Sequence, residues 1–219
     1  MSKDIDLKEL EKKAWRSTLE DGIFEIYFGI LHLNITIGVI LDEILPSPYN
    51  LIVMFSIIGL GLMFFLFGKK FISEPRLGKV KFGRTRIVRK VKTIAVLTVN
   101  FLALLIIFLI GVLNPQLRLQ LPKSLFDLIM GLLFFTLPLC FIAYFLQFRR
   151  LYIIAILLGL GFSLDELFKL LPIPDLVSSI LAFGMISVII LSMGVVVFIR
   201  FLKKYPRPKD NQELEVKDG

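Results

Sequence analysis

The chain has 219 residues, of which 56% are hydrophobic, and a formal net charge of +8. Its apolar residues come in blocks of about 20, the length that crosses ~30 Å of hydrocarbon, and these blocks leave no room for a separate soluble domain. One cysteine excludes an intramolecular disulfide, and one cysteine with one histidine excludes a Cys/His zinc cluster.

The first 21 residues are polar and have a helical pattern. Leu7, Leu10, Ala14 and Trp15 fall on one face, and the basic side chains fall elsewhere. The pattern predicts a short amphipathic helix that lies on the membrane surface, with Trp15 at the level of the headgroups. The alternative is a solvated helical lead-in to the first apolar block.

The apolar blocks predict an all-α fold, a polytopic transmembrane helical bundle within residues 22–201. We expect six spans, at about 22–44, 49–68, 93–113, 125–147, 151–170 and 177–201. All but three of the 26 Lys and Arg residues lie in the segments 1–21, 69–92, 148–150 and 200–219. Because basic residues concentrate on the cytoplasmic side, both termini are predicted to be cytoplasmic. The spans then form three hairpins that turn on the outer side, with a basic cytoplasmic loop at 69–92 and a cytoplasmic tail at 202–219.

The first and third hairpins resemble each other in sequence. Residues 38–44 match residues 161–167, including an Asp-Glu pair, and a Leu-Pro-x-Pro segment follows in both, at 45–48 and at 171–174. Both copies run outward, so they predict a parallel internal repeat of the kind found in many transporters. A chance likeness between two apolar hairpins is the alternative.

Four carboxylates form a predicted acidic mouth at the outer ends of the first and fifth spans: Asp42, Glu43, Asp165 and Glu166. Acidic groups are disfavoured at helix C-termini, where the helix dipole is already negative. A bound cation would compensate, since hard cations such as Ca²⁺ or Mg²⁺ take carboxylate oxygens. The alternative is that water and salt screen these groups. The metal, if there is one, is not specified by the residues.

A polar stripe runs along the first span. Glu25, Gly29, His32 and Thr36 are spaced four, three and four residues apart and share one helix face, whereas Asn34 lies off it. An ionisable residue in a span is costly and therefore a functional candidate. A Glu–His face could pass protons, because histidine titrates near neutral pH. An interhelical hydrogen bond from His32, and snorkelling or pairing of Glu25, are the structural alternatives.

Three further features predict contacts between helices. Asn100 is expected to bond a neighbouring helix, and Pro138 to interrupt the fourth span. The small residues Ala155, Gly159 and Ser163, spaced by four, predict a close helix contact on the fifth span, either within the bundle or across a dimer.

The basic segment after the second span is predicted to face anionic lipid headgroups on the cytoplasmic side, at about 1 kcal/mol per charge near the surface. Nucleic-acid binding is not expected from a segment tethered at the membrane. The candidate lipid-binding residues are Lys69, Lys70, Lys79, Lys81, Arg84, Arg86, Arg89 and Lys90.

Two short elements resemble a group of uncharacterised multi-pass membrane proteins of bacteria and archaea. One is Glu20-Asp21-Gly22 followed by Glu25 at the start of the first span, and the other is the Pro-Arg-x-Gly-x-Val-Lys segment that begins at Pro75. The resemblance carries no activity. It implies that the two elements belong together, and both fall on the cytoplasmic side by the predicted topology. A salt bridge from Arg76 to Asp21 or Glu25 is therefore expected.

The sequence contains no HExxH, GxSxG, P-loop or GxGxxG motif, and its serines have no histidine base beyond His32. We expect a small transporter, a channel or an ion-binding protein in the plasma membrane of a prokaryote, without a cofactor, with lipids as partners and with self-association left open. A membrane scaffold or regulatory partner is the first alternative. An intramembrane enzyme that modifies lipid is the second.

Overall fold

In the computed structural model, which describes residues 19–77, 84–113, 129 and 131–206, every element of secondary structure is a helix. Two helices contain a π-helical turn, at Gly68–Ser73 and at Gly131–Thr136. The helices are α1 (Ile23–Ile44), α2 (Tyr49–Leu77), α3 (Arg84–Leu113), α4 (Gly131–Leu146), α5 (Arg149–Phe168) and α6 (Asp175–Lys204). The all-α prediction is confirmed for this part of the chain.

Four helices, α1, α2, α5 and α6, are long and apolar enough to cross a membrane. The third and fourth predicted spans coincide with shorter apolar helices in the described residues, Val91–Ala103 and Gly131–Leu146. The predicted amphipathic helix lies outside the described part of the chain as far as residue 18. The tail from residue 207 and part of the fourth predicted span lie outside it as well.

The segment predicted as a basic cytoplasmic loop is largely helical. Helix α2 continues to Leu77 and α3 begins at Arg84, while residues 78–83 lie outside the described part. Lys and Arg are good helix formers, and Pro75 lies only two residues before the end of α2. Charge alone therefore did not predict where the helices end.

Helix α6 lies at the centre of the packing, where it contacts both α1 and α5, while α2 packs against α1 and α3 packs against α4. The buried core lies between α4, α5 and α6, with one contribution from the segment before α1. Its residues are Leu19, Ile142, Ala143, Phe148, Leu151, Ile154, Leu158, Ile186 and Ile190. The outward side chains of α2, such as Phe55 and Leu60, are exposed, as expected of a helix that faces lipid rather than protein.

Two glycines allow α1 and α6 to approach closely. Gly22 has φ +76°, a conformation that L side chains rarely adopt, and a Cβ there would lie 2.6 Å from the backbone of Gly194 and Phe198. A Cβ on Gly194 would lie 2.7 Å from the amide nitrogen of Ile26. Backbone therefore contacts backbone at the start of α1, which small residues make possible in membrane helices.

The π-helical turn of α4 precedes Pro138, the residue predicted to interrupt this span. Proline has no N–H to donate to the carbonyl of Phe134, four residues earlier. Asn100 on α3 donates from Nδ2 to that carbonyl at 3.4 Å. The predicted interhelical bond of Asn100 is thus confirmed, and its acceptor is a backbone oxygen exposed by the proline.

The small-residue face of α5 contacts the same π-helical turn. The hydroxyl of Thr136 donates to the carbonyl of Ala155 at 3.2 Å. A Cβ on Gly159 would overlap the Thr136 side chain and lie 3.2 Å from the carbonyl oxygen of Gly131. The predicted close contact is confirmed, and its partner is α4.

Candidate functional site

The polar side chains predicted to form a stripe on α1 are buried inside the protein. The exposed fraction is 0% for Glu25, 1% for His32 and 6% for Thr36. Asn34, which the helical spacing excluded from the stripe, is also buried, at 3%. Because α1 contacts α2 and α5 as well as α6, more than one of its faces is covered, and periodicity alone did not reveal this.

Several of these buried groups have no hydrogen-bond partner. Both ring nitrogens of His32, the carbonyl oxygen of Asn34 and the hydroxyl oxygen of Thr36 are buried and unpartnered. An unsatisfied buried polar group costs about 1–3 kcal/mol, and such groups are few in proteins. Their occurrence on one membrane helix marks α1 as the candidate functional element.

His32 lies where α1 meets α5 and α6. Its ring contacts Phe183 edge to face, with the ring centroids 5.7 Å apart, and a Cβ on Gly161 would lie 3.2 Å from its Nε2. On its other side His32 lines a cavity of about 160 Å³, together with Asn100 and apolar residues of α1, α3, α4 and α5. His32 is therefore tightly packed against α5 and α6, and it borders the cavity on another side.

At the start of α1, Asp21 is the centre of a buried hydrogen-bond cluster. Its carboxylate accepts hydrogen bonds from Lys69 Nζ at 2.7 Å, from the hydroxyl of Ser73 at 2.5 Å and from the amide of Ile23 at 3.2 Å. Lys69 and Ser73 belong to the π-helical turn of α2, and π turns are frequent at functional sites. The side chain of Asp21 is fully buried, so the cluster ties α2 to the start of α1.

Glu25 is held by a different helix. Nη1 of Arg150, the second residue of α5, lies 3.1 Å from Oε1 of Glu25, although neither Glu25 oxygen has hydrogen-bond geometry with a partner. Arg150 also donates from Nη2 to the carbonyl of Leu19 at 3.0 Å. A buried carboxylate needs a countercharge, and Arg150 in the first turn of α5 supplies it.

These partners differ from those expected from the sequence. Arg76 was predicted to pair with Asp21 or Glu25, but in the structure Asp21 pairs with Lys69 and Glu25 with Arg150. Nε and Nη1 of Arg76 are buried and have no hydrogen-bond partner. Lys69 was predicted to bind lipid, yet its amine bonds to Asp21. Sequence spacing could not show that a π-helical turn brings Lys69 and Ser73 to the same carboxylate.

At the other end of α1, the carboxylate of Asp42 is exposed and accepts a hydrogen bond from Nδ2 of Asn50. Asn50 is the second residue of α2 and is mostly buried. Glu43 is exposed. The side-chain amide of Asn50 thus offsets the unfavourable position of the Asp42 carboxylate at a helix C-terminus.

The matching carboxylate near the end of α5 is more enclosed. Asp165 is 8% exposed and accepts hydrogen bonds from Lys169 and from the hydroxyl of Ser179, the latter at 2.6 Å. Lys169 also lies 3.4 Å from Glu166. Burial lowers the pKa of Lys169, but the hydrogen bonds and charges of Asp165 and Glu166 outweigh this effect and raise it above its usual 10.5. Lys169 thus compensates the carboxylates at this end of α5.

Among the residues that the structure describes, no group of three or more His, Cys, Asp or Glu side chains is arranged to hold a metal ion. That the acidic mouth binds a cation stays a prediction. The contacts of Asp42 with Asn50 and of Asp165 with Lys169 also compensate the negative charge of these carboxylates. Of the candidate lipid-binding residues, Lys70 is exposed. Lys79, Lys81 and the side chains of Arg84, Arg86, Arg89 and Lys90 lie outside the described part.

Comparison with protein-family models, with curated proteins and with solved structures finds no match to this chain. The resemblance to uncharacterised prokaryotic membrane proteins therefore stays a prediction. Function must be argued from the geometry of α1 and its neighbours.

Proposed function

We propose that the chain is an integral protein of a prokaryotic plasma membrane, with six spans in three hairpins and both termini in the cytoplasm. The four long apolar helices and two shorter ones support this proposal. So does the distribution of Lys and Arg, all but three of which fall in segments assigned to one side. On this topology the Asp21 cluster faces the cytoplasm and Asp42 faces outward.

Within that frame, the function we propose is that of a small transporter or channel for a small cation or polar solute, which moves along α1. The observation that carries the proposal is the set of buried, unpartnered polar atoms on α1: the ring nitrogens of His32 and the hydroxyl of Thr36 on one face, and the carbonyl oxygen of Asn34 off that face. These atoms are buried in the packing described, so a polar solute or water would reach them, and supply the missing hydrogen bonds, when α1 and its neighbouring helices move apart. Acidic residues at the outer end of α1 would raise the local concentration of cations.

The test is flux into liposomes that contain the purified protein, with protons and a panel of monovalent and divalent cations. Thr36→Val removes one unpartnered hydroxyl at nearly constant volume. If that hydroxyl contacts the solute, flux should fall about fivefold, the equivalent of one hydrogen bond of about 1 kcal/mol.

Ser187→Ala is the matched control. Its hydroxyl is also buried, but it donates to the carbonyl of Gly184 on its own helix at 2.8 Å, so flux should be unchanged. Flux no greater than that of empty liposomes for every ion, or equal loss in both variants, would contradict the proposal. Copurification of a partner protein without flux would favour a scaffold, and turnover of a labelled lipid would favour an enzyme.

A further inference from the structure

Two carboxylates lie four residues apart at the start of α1, and they are held in different ways. Asp21 accepts hydrogen bonds from three donors on α1 and α2. Glu25 is equally enclosed, since both residues are 0% exposed, but neither oxygen of Glu25 has a hydrogen-bond partner. Buried polar groups are normally hydrogen-bonded. The carboxylate of Asp21 is therefore occupied in joining α2 to α1, whereas no donor occupies the carboxylate of Glu25.

The negative charge of Glu25 is balanced by Arg150, whose Nη1 lies 3.1 Å from Oε1. In the described part of the chain, the other ionisable groups that face Glu25 are Asp21 and Lys69, which pair with each other. Helix α6 places Gly194 beside the backbone of Glu25. The charged residues at this end of α6 are exposed: Arg200, Lys203 and Lys204. Arg150 can therefore turn away from Glu25 while the pair of Asp21 and Lys69 stays intact.

Arg150 also lines a polar cavity on the side of the protein that the proposed topology assigns to the cytoplasm. The cavity has a volume of about 260 Å³, and Glu20, Gln147 and Arg149 line it as well. It has room for several water molecules, because one takes about 30 Å³ in the liquid. The side chain of Arg150 is 27% exposed. Arg150 thus contacts a fully buried carboxylate and also borders a space that water can enter.

We propose that Glu25 is the proton-binding residue of the transport function, and that Arg150 controls its access from this cavity. When Arg150 turns into the cavity, a proton from cytoplasmic water adds to one oxygen of Glu25, and the carboxylate becomes a neutral carboxylic acid. Arg150 keeps its charge, because a guanidinium is not deprotonated in proteins, and water in the cavity solvates it. The inference rests on the proposed transport function and names its ion.

A proton suits this site better than a metal ion. Hard metal cations take several oxygen ligands, and among the residues that the structure describes Glu25 belongs to no group of three side chains that could hold one. A buried carboxylate without its countercharge is also costly, whereas a neutral acid is much less so. Protonation therefore allows Arg150 to leave without an unpaired charge remaining inside the protein.

The test is infrared difference spectroscopy of the full-length protein in lipid nanodiscs as the pH is lowered. A carboxylic acid without a hydrogen-bond partner absorbs at a higher frequency than an acid bonded to water, and ¹³C in the side-chain carboxyl of glutamate assigns the band. We expect one such glutamic acid band, lost in Glu25→Gln and kept in Glu74→Gln, an exposed glutamate of α2. If Glu25→Gln does not fold, Glu25→Asp replaces it, and its band should not respond to the glutamate label. The absence of the band, or its persistence in folded Glu25→Gln, overturns the proposal.

A second pair of variants tests the role of Arg150. An opposite charge nearby favours the ionised carboxylate, so in Arg150→Gln the band should appear at a higher pH than in the unchanged protein. Arg200→Gln, an exposed arginine at the same end of α6, is the control and should not move it. An unmoved band in folded Arg150→Gln overturns the proposal. The band without flux of any ion would contradict transport alone, and flux without the band would contradict this inference alone.

Discussion

The two hairpins that resemble each other in sequence are used differently in the protein. Their first helices are equally enclosed: 39% of the apolar stretch is buried in both α1 and α5. Their second helices are not, since the buried share is 11% in α2 and 33% in α6. Helix α6 packs between α1 and α5, whereas α2 contacts α1 and presents apolar side chains outward. Similar sequences thus gave similar helices but different positions in the bundle.

The same contrast holds for the matching carboxylates. Asp42 is exposed and bonds one amide, whereas Asp165 is 8% exposed and bonds both Lys169 and Ser179. The internal repeat stays a prediction. A shared sequence pattern thus determines where a helix ends and where its carboxylate lies, while the neighbouring residues determine how strongly that carboxylate is held.

The largest difference in the free energy of unfolding is expected from truncating apolar side chains on α2 and α6, the second helices of the two similar hairpins. Ile190 on α6 is fully buried and Ile52 on α2 is 57% exposed. Ile190→Ala should lower the free energy of unfolding by about 2–5 kcal/mol through the cavity that it leaves. Ile52→Ala should change it by less than about 0.5 kcal/mol. Thermal unfolding of the detergent-purified variants measures both, and equal losses would show that α2 is as well packed as α6.

A matched pair of glycines should give effects of opposite sign. On Gly194 of α6, a Cβ would lie 2.7 Å from backbone of α1, whereas on Gly59 of α2 it would meet nothing within 4 Å. Gly194→Ala should destabilise by about 1–3 kcal/mol, because two backbones must separate. Gly59→Ala should stabilise by roughly 0.5–1 kcal/mol, because alanine favours the helix. A neutral Gly194→Ala variant in the same unfolding assay would contradict the close contact between α1 and α6.

The smallest difference concerns the carboxylates. Asp165→Asn removes the charge that Lys169 pairs with and should cost about 1 kcal/mol, whereas Asp42→Asn at an exposed position should cost under about 0.5 kcal/mol. The raised pKa of Lys169 means that its pairing stabilises the fold below pH 10.5 and that this stabilisation is lost as the pH rises through the raised value. In strong alkali, the midpoint temperature of thermal unfolding of Asp165→Asn should therefore approach that of the unchanged protein. A constant gap there would mean that the Lys169 charge is not involved.

Much of the fold was predictable because apolar block length and helix-breaking residues are local properties. The spans predicted at 22–44 and 151–170 differ from α1 and α5 by at most two residues at either end. Asn100, Pro138 and the small-residue face of α5 were each expected at a helix contact, and each makes one. The helical extension into the basic segment was missed, because charge indicates the side of the membrane and not the local conformation.

The candidate site was only partly predictable. Helical spacing identified Glu25, His32 and Thr36 as one face, since that follows from 3.6 residues per turn. It did not identify Asn34 as buried or Arg150 as the partner of Glu25, because those depend on which helices lie beside α1. The partners of Asp21 depend in addition on a π-helical turn, for which the sequence has no clear signal.

Four features follow from the amino-acid sequence alone: the all-helical class, the apolar lengths that suit a membrane, the asymmetry of basic charge and the positions of carboxylates in the last turns of α1 and α5. These are properties of composition and of short stretches of chain. Packing between helices, in contrast, places α6 rather than α2 at the centre, pairs lysine and arginine with the buried carboxylates at the start of α1, and leaves a cavity beside His32. Those outcomes depend on contacts between residues far apart in the chain, where close packing selects one arrangement among many that the same hydrophobic pattern allows.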